Sequence, residues 1–291
     1  MKKKEVIILV TNDDGVGAPG IKTVATALRA LGNVWVVAPD RPQSAVGRAM
    51  TLHKPLRLMQ QGKQTFSVNG TPSDCINLGL GKLLQNHRPA LVVSGINKGL
   101  NLGDDVTNSG TVSGAMEGVL HGIPSIAVSQ DDIDPCRYRV AADYTVDLVT
   151  MVLKHGLPGD TLLNVNVPNC SSHQIQGVRF TSLSRRQYKN PVVEKVDPRG
   201  FNYYWIAGER ISLQRQKPSD FEAVSNRMVS ITPLHLDMTQ YQALKTLRAW
   251  ESVLNRNQKG LVRKGRSRTK SKGAPKKNKM KKDYGNVPGG F

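Results

Sequence analysis

The chain has 291 residues, 38% of them hydrophobic, and carries 41 Lys and Arg against 22 Asp and Glu for a formal charge of +19. That length is enough to bury a full core, but no apolar run approaches a membrane span, and the one after Met1-Lys2-Lys3-Lys4 is too short for a secretory signal. The cysteines, Cys75, Cys136 and Cys170, are scattered without Cys-x-x-Cys spacing, which points to reduced thiols in a cytoplasmic protein and away from a zinc site.

Val6-Ile7-Ile8-Leu9-Val10 runs straight into Thr11-Asn12-Asp13-Asp14-Gly15. Apolar, mostly β-branched residues followed at once by polar ones predict a strand buried on both faces that ends at a turn. Pro19 and Gly20 open a helix with apolar residues at 21, 24, 25, 28 and 31, and Gly32 stops it. Val34–Ala38 predicts a second buried strand ending at Pro39-Asp40, which completes a βαβ unit. Thr51 to Val68 alternates and suits a β excursion at one side. A helix from Thr71 through Leu84, a strand over Ala90–Ser94, a helix over Gly110–His121 and a strand over Ile126–Ser129 continue the alternation. This order predicts an α/β fold with a mostly parallel sheet and helices on both faces. A helix over Tyr138–His155 and a strand over Leu162–Pro168 follow.

Residues from about 178 to 232 alternate polar and apolar with scattered Pro and Gly, which predicts antiparallel hairpins projecting from the sheet; a short helix is expected near Gln240–Leu254. From Arg256 to Lys282 there are thirteen Lys or Arg and no Asp or Glu, so this stretch supplies +13 and leaves +6 for everything else. Such a composition cannot bury enough surface to offset its ordering entropy, and a disordered basic tail is expected over 256–291. Its charges suit sequence-indifferent contact with RNA or another polyanion, or simply keep the protein in solution.

In an open parallel sheet, ligands bind at the carboxyl ends of the strands. The adjacent carboxylates of Asp13 and Asp14 repel each other there unless a cation lies between them, and hard oxygens suit Mg²⁺ or Mn²⁺. The following strand ends deliver Ser44, whose hydroxyl can complete an oxygen shell, and Asn97, whose amide carbonyl is a neutral oxygen ligand. Ser109-Gly110-Thr111 stands at a helix start, where backbone N–H groups and hydroxyls form an anion site. Each piece has a plainer reading taken alone. Asp13 and Asp14 can cap a helix, Ser44 can be an ordinary loop serine, Asn97 and Asn101 can stabilise turns, and Ser109 can be only an N-cap. Gly15-Val16-Gly17-Ala18-Pro19-Gly20 also matches a dinucleotide-binding fingerprint, but two acids at its mouth would repel a pyrophosphate. A phospho-aspartyl enzyme needs an acid nucleophile, and the later strand ends in Ser94-Gly95-Ile96-Asn97. Metal-assisted attack of water on phosphorus fits these strand ends better.

Several motifs together resemble one family, the survival-protein SurE-type 5′/3′-nucleotidases. They are Thr11-Asn12-Asp13-Asp14-Gly15, Ala38-Pro39-Asp40 with Gln43-Ser44, Asn69-Gly70-Thr71-Pro72-Ser73-Asp74-Cys75, Ser94-Gly95-Ile96-Asn97, Asn101-Leu102-Gly103-Asp104-Asp105 and Ser109-Gly110-Thr111-Val112. Asn164-Val165-Asn166-Val167-Pro168, Asp197-Pro198-Arg199-Gly200 and Ile231-Thr232-Pro233-Leu234 extend the resemblance over about residues 5 to 245.

The resemblance implies a phosphatase that hydrolyses nucleoside 5′- and 3′-monophosphates, with some action on short polyphosphate. It implies one divalent ion per subunit, Mg²⁺ or Mn²⁺, on Asp13, Asp14, Ser44 and Asn97. Phosphate contacts fall on Asn101, Ser109, Gly110 and Thr111, and Asp14 or Asn101 is a candidate general base. The implied fold is a Rossmann-like αβα sandwich over about 5–170, with a hairpin and helix extension over 171–255 that builds a homodimer or homotetramer. Two features depart from the family. Asn108 stands where many members carry tyrosine, which puts base stacking there in doubt, and the basic tail has no counterpart. The tail keeps a second expectation open, a nucleic-acid-binding protein on the same fold with little turnover.

Overall fold

The computed structural model describes residues 5–189, 192–206, 209–213 and 218–255; the expected basic tail at 256–291 lies outside the described residues. Two compact units are present, Met1–Leu236 and Asp237–Phe291. In the first, β1 (Ile7–Thr11), α1 (Pro19–Leu28) and β2 (Asn33–Pro39) form the expected βαβ unit, with β1 and β2 parallel. The excursion that follows is an edge pair, β3 (Leu58–Gly62) antiparallel to β4 (Thr65–Val68), and β4 runs parallel to β2.

Next comes α2 (Pro72–Leu78), opened by a reciprocal cap in which Thr71 Oγ1 accepts from the Asp74 N–H and Asp74 Oδ2 accepts from the Thr71 N–H. The helix expected through Leu84 ends earlier, giving way to a π-helical turn over Gly79–Leu83. Its two glycines, Gly79 and Gly81, weaken α-helix propensity there.

Then follow β5 (Leu91–Lys98), α3 (Gly110–Leu120), β6 (Ser125–Gln130), α4 (Tyr138–His155) and β7 (Thr161–Val167). Strands β2-β1-β5-β6-β7 are parallel neighbours in the middle of a nine-stranded sheet. Alternate residues of β1 feed opposite layers. Ile8 and Val10 pack with Ile21, Val24 and Leu28 of α1 and Val149 of α4, whereas Leu9 packs with Val37 and with Cys75 and Ile76 of α2. Helices cover both faces, which gives the αβα sandwich expected from the alternation.

The second half is more varied. β8 (Val178–Phe180) is followed by a ribbon in which β9 (Arg185–Lys189) pairs with β12 (Glu209–Leu213) and, farther out, β10 (Val192–Val196) pairs with β11 (Asn202–Ile206). Both pairs are antiparallel, as expected. β8 itself is not part of a hairpin. The chain passes through the ribbon and through α5 (Asp220–Ser225) before β13 (Val229–His235) returns beside β8 in parallel and beside β7 in antiparallel. In the second unit, α6 (Tyr241–Leu247) leaves Tyr241, Leu244 and Leu247 exposed. No helix among the described residues is long and apolar enough to cross a membrane.

Candidate active site

Asp13 and Asp14 follow directly on β1 and line one wall of a cavity of about 590 Å³, together with Ser44, Asn97, Lys98 and Asp131. All four sequence-predicted metal ligands therefore meet in one place. Three of them arrive from strand ends of the parallel sheet, and each is held by a separate local device.

Asp13 is buried and stands at the start of α3, where the Thr111 hydroxyl donates to its Oδ1. The approach is close enough to demand glycine at the first position of that helix. A Cβ on Gly110 would lie 2.7 Å from the Asp13 Cβ. Burial pushes the Asp13 carboxyl up to about 6; the Thr111 hydrogen bond opposes that shift and the Asp14 charge adds to it. Burial also raises Asp14, against the backbone N–H of Lys98, which donates to its Oδ2 at 3.1 Å, and the Lys98 charge.

Ser44 lies in the loop after β2, exposed to solvent, and the Gln43 N–H donates to the Asp13 carbonyl at 2.7 Å to tie that loop to the end of β1. Its neighbour Ala45 takes a left-handed backbone conformation, φ 56°, which an L-residue adopts at a cost and which recurs where loops present functional groups. Asn97 was expected in a loop; instead β5 runs on to Lys98, with a break in its register against β6 between Ser94 and Asn97. Gly95, at φ 133°, supplies that break, because a Cβ there would run into the Val128 carbonyl. The Asn97 amide donates to the Gly99 carbonyl at 2.8 Å, which leaves its carbonyl oxygen for a ligand.

The phosphate-contact candidates flank this wall rather than line it. Ser109 caps α3 by accepting from the Val112 N–H at 3.1 Å, and Gly110 and Thr111 pack against Asp13. Asn101 is buried, with its amide donating to Ser129 Oγ at 2.7 Å and its N–H donating to Asn166 Oδ1 at 2.8 Å. Its carbonyl accepts from Asn164 and Asn166 at 2.9 and 3.0 Å. These three anchoring residues had no place at the site in the sequence reading, although Asn164 and Asn166 fall in a motif that carries the resemblance. Their signal was polar side chains inside fully buried parallel strands, Asn164 and Asn166 in β7 and Ser129 in β6, where burial requires a partner. Asp104 and Asp105, another pair of adjacent acids, sit in a 3₁₀ turn over Gly103–Thr107 and do not line the cavity.

The donor set fits a hard divalent cation. Two carboxylates stand side by side in a partly buried cavity, Asp13 faces no basic side chain among its hydrogen-bond partners, and the remaining donors are neutral oxygens. Among the described residues no cluster of three or more His, Cys, Asp or Glu forms a candidate metal site, and Asp131 and Asp132 also line this cavity.

A sequence model of the family described as "Survival protein SurE" matches residues 8–190. The "5′-nucleotidase SurE" of Geotalea daltonii is 52% identical over 245 residues, covering 84% of this chain and 98% of that protein. That of Moorella thermoacetica is 47% identical over 254 residues, covering 86% and 97%. The crystal structure of the SurE protein from Aquifex aeolicus superposes with a TM-score of 0.77 at 45% identity, covering 84% of this chain and 99% of that one. With these matches spanning the site and most of the fold, the chain belongs to the SurE survival-protein family.

Proposed function

We propose that this protein is a divalent-metal-dependent 5′-nucleotidase that hydrolyses nucleoside monophosphates to nucleoside and phosphate. The observation that carries this reading is the Asp13–Asp14 pair just after β1, Asp13 buried and Asp14 half-buried, with Ser44 and Asn97 lining the same cavity. The relatives at about half identity named 5′-nucleotidase support the substrate class. Asp13, Asp14, Ser44 and Asn97 would hold Mg²⁺ or Mn²⁺, which when bound neutralises phosphate charge and lowers the pKa of a water molecule. Thr111 and the start of α3 fix the Asp13 carboxylate, and the same helix start presents the Ser109–Thr111 turn to the phosphate. Asn101, locked by Ser129, Asn164 and Asn166, would help to orient the transferring group. Action on 3′-monophosphates and short polyphosphate, a cytoplasmic location and assembly as a dimer or tetramer belong to the same proposal. The free thiols of Cys75, Cys136 and Cys170 suit a reducing compartment, and the exposed apolar side chains of β10, β11 and α6 suit contact with further copies of the chain.

Phosphate release from a panel of 5′- and 3′-nucleoside monophosphates, with Mg²⁺, with Mn²⁺ and with chelator, tests the reading. Release that needs the metal and favours nucleotides supports it. Release that persists in chelator, or its absence from every nucleotide with either metal, overturns it.

A further inference from the structure

The cavity has a second wall. Besides the acidic residues it is lined by Leu100 and Leu102 from the loop after β5 and by Phe221, Val224 and Ser225 from α5. Leu102 is buried, while the Phe221 ring keeps 36% of its surface exposed. Phosphate chemistry gives no reason for an aromatic ring and three aliphatic side chains beside a carboxylate pair, since apolar groups neither bind phosphate nor coordinate a cation.

The two segments of this wall are fastened together by one residue. Asp220 is fully buried; its Oδ2 accepts from the Gly103 N–H at 2.7 Å, and its Oδ1 accepts from the Ser184 and Phe221 N–H groups at 2.8 Å each. Gly103 follows Leu102 and Phe221 follows Asp220, so the carboxylate sets the spacing between the leucines and the ring. A wall held this way is preorganised rather than formed on binding.

We propose that Phe221, with Leu100, Leu102 and Val224, forms the nucleobase subsite of this enzyme, with Phe221 as the ring on which the base stacks. The proposal rests on the nucleotidase reading and deepens it. A monophosphate whose phosphate occupies the Asp13–Asp14 end projects its base across the ribose toward the other wall, and a cavity of about 590 Å³ is of ordinary size for a small-molecule site. Phe221 is the aromatic side chain among the described residues that line the cavity. Among the five residues of this wall the Ser225 hydroxyl is the side-chain hydrogen-bonding group, so they grip a base chiefly by its face, while Lys98, Asp131 and Asp132 line the rest of the cavity.

AMP and ribose 5-phosphate, which differ by the base alone, separate this subsite from the chemistry. Full-length wild-type and Phe221→Ala proteins would be assayed with both esters in Mg²⁺, alongside Phe221→Trp as the conservative variant. The expected result is a wild-type kcat/KM that favours AMP, and a fall of about tenfold in the AMP to ribose 5-phosphate ratio in Phe221→Ala, expressed mainly in KM. Phe221→Trp should keep the ratio. Equal losses on both esters, or an unchanged ratio in Phe221→Ala, would overturn the subsite while leaving the nucleotidase reading in place. Wild-type protein that cleaves ribose 5-phosphate but not AMP, or cleaves neither, would instead remove the reading and the subsite together.

Discussion

The carboxyl edge of the parallel sheet and the outer ribbon are built from similar residues and put them to opposite use. Strands β1, β5, β6 and β7 bury nearly every side chain, and some of their polar ones bond within the edge, as Ser129 and Asn166 do with Asn101. In the ribbon, Val192, Val196, Phe201, Tyr204, Trp205 and Ile206 are all exposed, Ile206 at 93%. Paired strands satisfy backbone hydrogen bonds in both places, so the difference lies in what covers the side chains. The edge is covered by its own helices, and its strain and buried charge are what a reactive site requires. The ribbon leaves its apolar side chains uncovered, which is why it is proposed for contact between copies of the chain.

Removing Asp13 sharpens this contrast most. The Asp13→Asn variant should lose about a thousandfold in metal-dependent turnover, because it removes a negative ligand from a site of two carboxylates. Its fold should not suffer. The folded-state pKa is raised from 3.8 to about 6, so the ionised carboxyl opposes folding above that range by about 3 kcal/mol. The sign follows directly. A raised acid pKa means the folded state binds the proton more tightly, so this group's contribution to stability rises as pH falls from 7 through 6 toward 4. In chelator, Asp13→Asn should melt at or above the wild-type temperature at pH 7.5, and that advantage should shrink by pH 5. A variant that melts well below wild type in chelator at pH 7.5 would show that Asp13 is part of the scaffold instead.

Gly110→Ala attacks the same edge from the helix side. A methyl 2.7 Å from the Asp13 Cβ must push α3 or the carboxylate aside. Overpacking of this kind costs about 1–3 kcal/mol, and the displaced carboxylate should lower turnover by about a hundredfold. Melting and kinetics on one preparation check both. Asp220→Asn comes next, since all three of its partners are N–H donors and an amide group must turn a donor toward one of them. A loss of about 2 kcal/mol in stability is expected by denaturant titration, because the side chain ties Gly103 and α5 to Ser184 at the base of the ribbon.

Legibility in the sequence follows the same division. The buried strands were readable because burial on both faces imposes an unbroken apolar run, and their sharp ends at Asp13 and near Asn97 marked the edge. What escaped was set by contacts distant along the chain. The extension of β5 to Lys98 depends on a register break against β6, and the role of Asp220 depends on Gly103, 117 residues earlier. The six-residue α5 is too short to show helical periodicity, and the parallel return of β13 beside β8 leaves no mark in the alternation of either strand.

On the ribbon side, Trp205→Ser with Ile206→Ser should change the state of association, not the chemistry. Both side chains stand on β11, exposed and away from the cavity lining. Light scattering should show a smaller assembly at equal protein concentration, with turnover per subunit within about threefold of wild type and a shift in melting temperature that grows on dilution. An unchanged assembly would mean that copies meet elsewhere, and the exposed face of α6 would be the next surface to alter.

The smallest effect on catalysis is expected from deleting the chain after Leu254. The deletion removes the thirteen unopposed positive charges between Arg256 and Lys282, and with them most of the +19. Nucleotide hydrolysis should stay within about twofold at moderate salt, since every residue placed at the site precedes Ser225 or coincides with it. Binding to a polyanion is where the loss should appear. Unopposed charge draws nucleic acid by counterion release, so full-length protein should retain a labelled RNA at low salt and release it steeply as salt rises. The truncated protein, with only +7 remaining because Asp283 is lost with the thirteen cations, should bind weakly throughout and show a much shallower salt slope. Equal slopes for the two proteins would place any polyanion contact on the folded units. A collapse of mononucleotide turnover would instead make the tail part of the catalytic assembly.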